Sequence, residues 1–145
     1  MYKLEPKNKK ALMQAALGLK EADLVISNAQ LVNVFTGEIY PASVYVYEGF
    51  ICHVESDPQV PVSKAKQSID AGGQYLIPGL IDAHVHIESS MLTPRNFARG
   101  VVVHGTTTAV TDPHEMANVY GVEAVRYMHD AAEGLPMRQL INIPS

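Results

Sequence analysis

The sequence predicts an α/β protein in which a small β-rich, β-sandwich-like module precedes the first β-α-β-α-β units of an incomplete TIM-type (β/α)8 barrel. Short runs of β-branched and aromatic residues, separated by Gly-containing turns, fill residues 22–77. From residue 78 onward, strand-like apolar runs alternate with amphipathic helical segments, which is the order of βαβ units. A complete barrel needs about 250 residues. The chain has 145 residues, so we expect residues 78–145 to form only the start of a barrel.

The first segment, residues 1–21, is predicted to be helical. Over residues 8–20 the apolar positions Leu12, Ala15, Ala16 and Leu19 recur at the spacing of one helix face. In the module that follows, we predict strands at residues 23–27, 31–35, 43–47 and 50–54. Residues 68–70 and 74–77 flank Ala71-Gly72-Gly73 and are predicted to form one more hairpin.

The barrel-like part begins with a predicted buried strand over residues 80–87. Thr93 is expected to cap the next helix, because Pro94 then takes the first helical position, where proline is favoured. The β-branched run at residues 106–111 predicts a second strand. Asn118 is a candidate cap for a second helix, and residues 138–143 predict a third strand.

Composition excludes several classes of function. The net charge of −4, with basic residues clustered only at Lys7, Lys9 and Lys10, argues against nucleic acid as a partner. The single Cys52 excludes an intrachain disulfide and any Cys-x-x-Cys zinc site, and it is typical of a reducing compartment. Apolar runs stay below the roughly 18–20 residues that a membrane span requires. We therefore expect a cytoplasmic protein with no membrane partner.

A His-x-His pair at the end of the first barrel-like strand predicts a metal site. Side chains alternate along a strand, so His84 and His86 should point to one side, together with Asp82. Imidazole is a common ligand of zinc, iron and manganese-type catalytic metals. The alternative is a pair of histidines at a solvent-exposed strand end. The Pro78-Gly79 start and the apolar run before the pair favour a site.

A second polar cluster, Asp112, His114 and Glu115, follows the next strand. Barrel enzymes place their active sites at the carboxyl ends of the strands, so the two clusters should meet. A carboxylate beside a metal centre can serve as general base or acid. The alternative is a helix-capping turn with a solvated acid. The loop at Glu88, Ser89 and Ser90 has the corresponding alternative of an ordinary polar loop.

These motifs resemble a known family. The segment from Pro78 to His86 resembles the first-strand signature of the amidohydrolase superfamily of metal-dependent hydrolases. Residues 87–94, 105–108 and 111–119 are similar to the bacterial and archaeal adenine deaminase family, and residues 22–26 and 32–40 are similar to that family's opening β-module. The likeness covers about residues 20–145. The first-strand signature is shared by many amidohydrolases, and the two later polar blocks narrow the match.

The resemblance implies hydrolytic deamination of adenine to hypoxanthine and ammonia at a centre of two divalent metal ions, manganese or iron, with zinc as an alternative. By this resemblance we expect His84, His86 and His114 to be metal ligands and Asp112 and Glu115 to be catalytic. Glu88, Ser89 and Ser90 are expected to bind substrate.

The family's remaining ligands come from later strands, so the 145-residue chain is expected to be inactive alone and to need the remaining barrel polypeptide. A homo-oligomer is also expected. Two alternatives stay open: a related amidohydrolase acting on another cyclic amide or amidine, and a truncated, non-catalytic fragment.

Overall fold

The computed structural model describes residues 5–57, 59–60 and 63–144. The chain divides into two compact units, the N-terminal unit Met1–Pro78 and the C-terminal unit Gly79–Ser145. Residues 1–4 of the predicted helical segment, and residues 58, 61 and 62 of the predicted β-rich module, lie outside the described residues. Within the described part of the chain, no helix is long and apolar enough to cross a membrane.

The N-terminal unit is one helix and a five-stranded mixed sheet. The helix α1 (Lys9–Ala16) begins where the Asn8 side chain accepts a hydrogen bond of 3.0 Å from the Ala11 amide. The strands are β1 (Ala22–Asn33), β2 (Glu38–Tyr47), β3 (Phe50–Glu55), β4 (Ala65–Asp70) and β5 (Tyr75–Leu76). Their order is β3-β2-β1-β4, with β5 also paired to β1. The described residues thus form one sheet here, and the second layer of a sandwich stays a prediction.

Two predictions for this unit are wrong. Residues 23–27 and 31–35 were expected as separate strands, but β1 runs from the first into the second and ends at Asn33, with a register shift between Ile26 and Ala29. Asn28 lies in this bulge with φ 54°. The predicted hairpin is also absent from the described residues, because β4 and β5 each pair in parallel with β1 instead of with each other. The loop between β4 and β5 is hydrogen-bonded to the bulge of β1, because the Gly73 amide donates to the Asn28 carbonyl.

The helix α1 is shorter than predicted, and its packed face overlaps the predicted stripe. Ala15 of the stripe is buried with Ala11 against Tyr47, and Leu12 packs against the same cluster. Leu19 lies beyond the helix and is exposed. Small alanines let the helix backbone approach the sheet closely.

The C-terminal unit confirms the predicted β-α-β-α-β order, with one helix more than expected. Its strands are β6 (Leu80–Val85), β7 (Thr106–Thr111) and β8 (Arg138–Ile141), which form a three-stranded parallel sheet in the order β6-β7-β8. Its helices are α2 (Pro94–Val102), α3 (His114–Tyr120) and α4 (Val122–Ala131), and a short 3-10 turn spans Glu88–Ser90. Thr93 caps α2 as predicted, accepting a hydrogen bond from the Asn96 amide.

Two predictions for the C-terminal unit are corrected. The second helix does not begin at Asn118: α3 begins at His114 and contains Asn118, and α4 follows after Gly121. Gly121 has φ 62°, a conformation that suits glycine and breaks the helical run. The start of β6 is not buried either, because β6 lies at the edge of the described sheet, where Leu80 is 51% exposed and Ile81 68% exposed.

One hydrophobic core joins the sheet of this unit to its helices. Its buried members are Ile87, Phe97, Ala98, Ala109, Met128 and Met137. A close approach at the start of the unit helps to fix the sheet: a Cβ atom at Gly79 would collide with the Thr107 side chain on β7. Glycine therefore lets the chain entering β6 lie directly against the neighbouring strand.

Candidate metal centre

The carboxyl ends of β6 and β7 lie side by side. Val85 pairs with Thr111, and the Asp112 amide donates a hydrogen bond of 3.0 Å to the Val85 carbonyl. His86 follows the last residue of β6 and Asp112 follows the last residue of β7. Two parallel strands that end in register bring the polar residues after them to the same edge of the sheet.

His84, His86 and Asp112 form a first group that can hold a cation. A nitrogen from each histidine and an oxygen from the aspartate lie within 4.8 Å of one another. The two Nε2 atoms are 3.2 Å apart, close to the roughly 3.3 Å that separates two nitrogens bound tetrahedrally at about 2.0–2.1 Å from one metal. The Oδ1 atom of Asp112 is buried without a hydrogen-bond partner among the described residues. This donor set fits a divalent cation.

His86, Glu88 and Glu115 form a second group that shares a histidine with the first. The Nδ1 atom of His86 lies 3.1 Å from Oε2 of Glu115, but this approach is not aligned as a hydrogen bond. Both carboxylate oxygens of Glu88 are buried, and no described residue offers either of them a well-aligned hydrogen bond. Buried polar atoms without partners are costly and call for a ligand or water. The second group also fits a cation.

Ser89 and Ser90 use their hydroxyl groups differently, and His114 lies nearby. Ser89 Oγ donates a 2.7 Å hydrogen bond to Oε1 of Glu115, whereas Ser90 Oγ donates to the Ile87 carbonyl. His114 is the first residue of α3, and its ring lies edge-on to that of His86 with centroids 6.5 Å apart. It belongs to neither cation-binding group among the described residues.

Asp82, expected on the same side as the two histidines, is not part of either group. Its Oδ1 atom accepts a hydrogen bond of 3.1 Å from the backbone amide of His84. The pairing of β6 with β7 also shifts register between Asp82 and Val85. Asp82 shapes the backbone that carries His84.

The pKa values of the two glutamates in the second group are shifted in opposite directions. Burial raises the pKa of Glu88, and the neighbouring Glu115 carboxylate raises it further. The pKa of Glu115 is lowered to about 2, chiefly by the hydrogen bond from the Ser89 hydroxyl and further by a backbone hydrogen bond and by Glu88 and His86. Glu115 is therefore a carboxylate at neutral pH, while Glu88 is the more easily protonated of the pair.

The backbone between the two groups is fixed by a buried side chain. Ile87 is 0% exposed and belongs to the core of the C-terminal unit, although it lies between His86 and Glu88. Its carbonyl also accepts a 3.0 Å hydrogen bond from the Ser90 amide. The residues on both sides are thus carried by a segment that is itself anchored in the core.

Gln139 was not singled out from the sequence. It is buried on β8, and its Nε2 atom donates a 3.0 Å hydrogen bond to the Pro94 carbonyl at the start of α2. The available signal was an amide between Arg138 and Leu140 in a short strand. Its contact ties β8 to the helix that follows the first polar cluster.

Comparisons with known proteins show which family and fold this chain is similar to. Residues 75–144 match the model of the amidohydrolase family. Curated adenine deaminases from Thermosipho africanus and Desulfatibacillum aliphaticivorans are 48% and 49% identical over 134 residues, which is 92% of this chain. The chain spans only 23% and 22% of the length of these two relatives.

Solved structures give the same assignment of fold. The L-hydantoinase (dihydropyrimidinase) of Arthrobacter aurescens matches 83% of this chain and 27% of its own, with a TM-score of 0.66 and 25% identity. A D-aminoacylase described for its binuclear metal centre matches 62% of this chain and 18% of its own, with a TM-score of 0.51 and 29% identity. By sequence and fold, the chain belongs to the adenine deaminase family of the amidohydrolase superfamily.

Proposed function

We propose that the chain is part of a metal-dependent hydrolase that deaminates adenine to hypoxanthine and ammonia. The observation that carries this proposal is the pair of cation-binding groups sharing His86 at the carboxyl ends of β6 and β7. The identity of 48% to a curated adenine deaminase supports the substrate. In this proposal residues 1–21 and 22–77 form the helical segment and β-rich module, and residues 78–145 begin the catalytic barrel.

In the proposed site, His84, His86 and Asp112 hold one divalent ion, and His86, Glu88 and Glu115 line a second position. Manganese or iron is the proposed metal, with zinc as an alternative. A divalent cation here would supply Lewis-acid stabilisation and lower the pKa of water. His114, beside the ring of His86, is proposed as a further ligand.

The carboxylates of Asp112 and Glu115 are proposed to take part in catalysis. Glu115 is ionised at neutral pH, so its oxygens can accept a hydrogen bond from a substrate nitrogen. Asp112 Oδ1 is buried and has no hydrogen-bond partner in the described part of the chain, so it is free to contact a ligand. Glu88, Ser89 and Ser90 lie in the 3-10 turn beside these groups, where they would border bound substrate.

The proposed enzyme also needs polypeptide beyond the portion that this chain represents. The chain spans 23% of the Thermosipho relative, and its two groups offer three protein ligands each, shared through one histidine. We propose that further ligands come from the rest of the barrel, that the complete enzyme is a homo-oligomer, and that it acts in the cytoplasm.

A second candidate is hydrolysis of a different cyclic amide. The likeness to the L-hydantoinase fold, with a TM-score of 0.66 over 83% of this chain, favours it. Substrate choice in either case depends on residues outside the two groups. The adenine proposal is preferred because the sequence identity to adenine deaminases is much higher, 48% against 25%.

The test is complementation. The chain is co-expressed with the Thermosipho adenine deaminase from which the segment matching this chain has been removed, in medium with added manganese. We expect ammonia release from adenine by the pair, and none by either part alone or by a pair carrying His84→Ala. Hydrolysis of hydantoin or dihydrouracil without adenine turnover would favour the second candidate. Adenine turnover by the isolated chain would contradict the need for a partner polypeptide.

A further inference from the structure

Ser89 is placed to hold Glu115 in position. Its Oγ atom donates the 2.7 Å hydrogen bond to Oε1 of Glu115, and it belongs to the 3-10 turn Glu88–Ser90 that follows buried Ile87. Glu115 lies in the first turn of α3, on the other side of the site. One hydrogen bond therefore links the segment after β6 to the helix after β7.

We propose that Ser89 is a positioning residue, which acts on the metal centre through Glu115. This inference rests on the proposed function. With Oε1 held by Ser89, the other oxygen of Glu115 lies 3.1 Å from Nδ1 of His86. The opposite nitrogen of the same ring, Nε2, is then turned to within 3.2 Å of His84 Nε2.

Without the hydrogen bond from Ser89, the side chain of Glu115 would be free to adopt several conformations. It is 53% exposed, and a long exposed carboxylate loses much rotamer freedom when it is fixed in one place. Groups that orient a metal-binding histidine through its second nitrogen are known to control affinity for the metal. The Ser89 hydroxyl selects one Glu115 conformation, and that conformation places negative charge beside the outer nitrogen of His86.

Ser90 cannot replace Ser89 in this role. Its hydroxyl is used by the Ile87 carbonyl within the same turn. The two adjacent serines, which are alike in the sequence, therefore have separate tasks. Ser90 closes the turn and Ser89 reaches across the site.

The experiment titrates the purified 145-residue chain with Zn²⁺ and Mn²⁺ by calorimetry. We expect Ser89→Ala to lower the affinity for the more tightly bound metal about 10- to 100-fold. Ser89→Thr, which keeps the hydroxyl, should retain most of the affinity of the unmodified chain. Ser68→Ala, which removes an exposed hydroxyl on β4, serves as the control and should leave affinity unchanged. In the double variant Ser89→Ala with Glu115→Ala, affinity should fall no further than in Glu115→Ala alone.

A second measurement separates this inference from the proposed function. Long-range ¹H–¹⁵N spectra of the metal-free chain report the ring nitrogens of His86. We expect Ser89→Ala to shift the His86 signals and Ser68→Ala to leave them in place. If the unmodified chain binds neither metal, the spectra alone decide the role of Ser89, and the proposed function is decided separately by the complementation test. Unchanged His86 signals in Ser89→Ala, or additive losses of affinity in the double variant, would overturn the inference.

Discussion

The two units of the chain differ in how completely their polar side chains are paired. In the N-terminal unit two aspartates each have two partners: Asp23 contacts Lys66 at 2.6 Å and accepts from the Glu48 amide, and Asp70 accepts from Asn28 and from the Gly72 amide. Among the described residues, every buried side-chain polar atom without a hydrogen-bond partner lies in the C-terminal unit. These atoms belong to His86, Glu88, Thr111, Asp112 and Gln139.

The unpaired buried atoms show that the C-terminal unit is less stable than it would be with every polar atom paired. Pairing a buried polar atom removes a cost of about 1–3 kcal/mol, so a unit selected only for stability would pair all of them. Three of the unpaired residues, His86, Glu88 and Asp112, belong to the two candidate cation-binding groups. Incomplete pairing in the C-terminal unit is therefore concentrated at the proposed metal centre.

The largest expected effect tests whether the C-terminal unit is firmly packed despite these unpaired atoms. Met128 is 1% exposed in its core, so Met128→Ala should lower the free energy of unfolding by about 2–5 kcal/mol. Met13→Ala is the control, because Met13 lies on α1 and is 65% exposed. Urea unfolding followed by circular dichroism measures both variants. Equal small effects would show a loosely packed core and break the comparison.

A smaller loss is expected from Gly79→Ala. The new methyl group would collide with Thr107, and moving the strand or that side chain costs about 1–3 kcal/mol. Gly100→Ala is the matched control: it lies inside α2 with open space around it, where alanine is favoured by about 0.5–1 kcal/mol. Thermal unfolding should show opposite shifts for the two glycines. A neutral Gly79→Ala would show that β6 can move away from β7.

Glu88→Gln sharpens the comparison most directly. Removing the charge from a buried carboxylate without well-aligned partners should raise the stability of the metal-free chain by about 1 kcal/mol. The same variant should weaken metal binding, because a neutral amide is a poorer ligand. Chemical unfolding with and without Zn²⁺ tests both statements. A loss of metal-free stability would mean that the Glu88 carboxylate is well satisfied as it stands.

The smallest expected effect belongs to the N-terminal unit. Asp23→Asn removes a partly exposed ion pair and should lower stability at pH 7 by less than about 1 kcal/mol. The hydrogen bond from Lys66 lowers the pKa of Asp23 below its ordinary value of 3.8. The stabilisation is therefore fully present above pH 3.8 and is lost as pH falls through the lower folded value. Unfolding curves of the two proteins should converge in acid and at high salt; a gap that persists at pH 2 would contradict this origin.

Local signals predicted much of the C-terminal unit. Thr93-Pro94 marks the start of α2 because capping and proline geometry act within one helical turn. The meeting of His86 with Asp112 followed from parallel strands that end together. The start of α3 was missed: no side chain caps it, and Pro113 precedes its first residue.

Non-local pairing explains most of the errors. The loop at Ala71-Gly72-Gly73 has hairpin composition, but its flanking strands find better partners along the bulged β1. The separate tasks of Ser89 and Ser90 also depend on contacts across the site, which the loop sequence does not contain. The exposure of Leu80 and Ile81 depends on strand order, which apolar composition does not encode.

The fully buried Ile87 has a consequence for how variation should be tolerated. Ile87 is not itself a candidate metal ligand, but its buried side chain anchors the backbone between two candidates, His86 and Glu88. Trimming it to valine would leave the donor chemistry intact while loosening both cation positions together. A screen for variants with weakened metal binding should therefore detect Ile87, although a list of the proposed metal ligands would omit it.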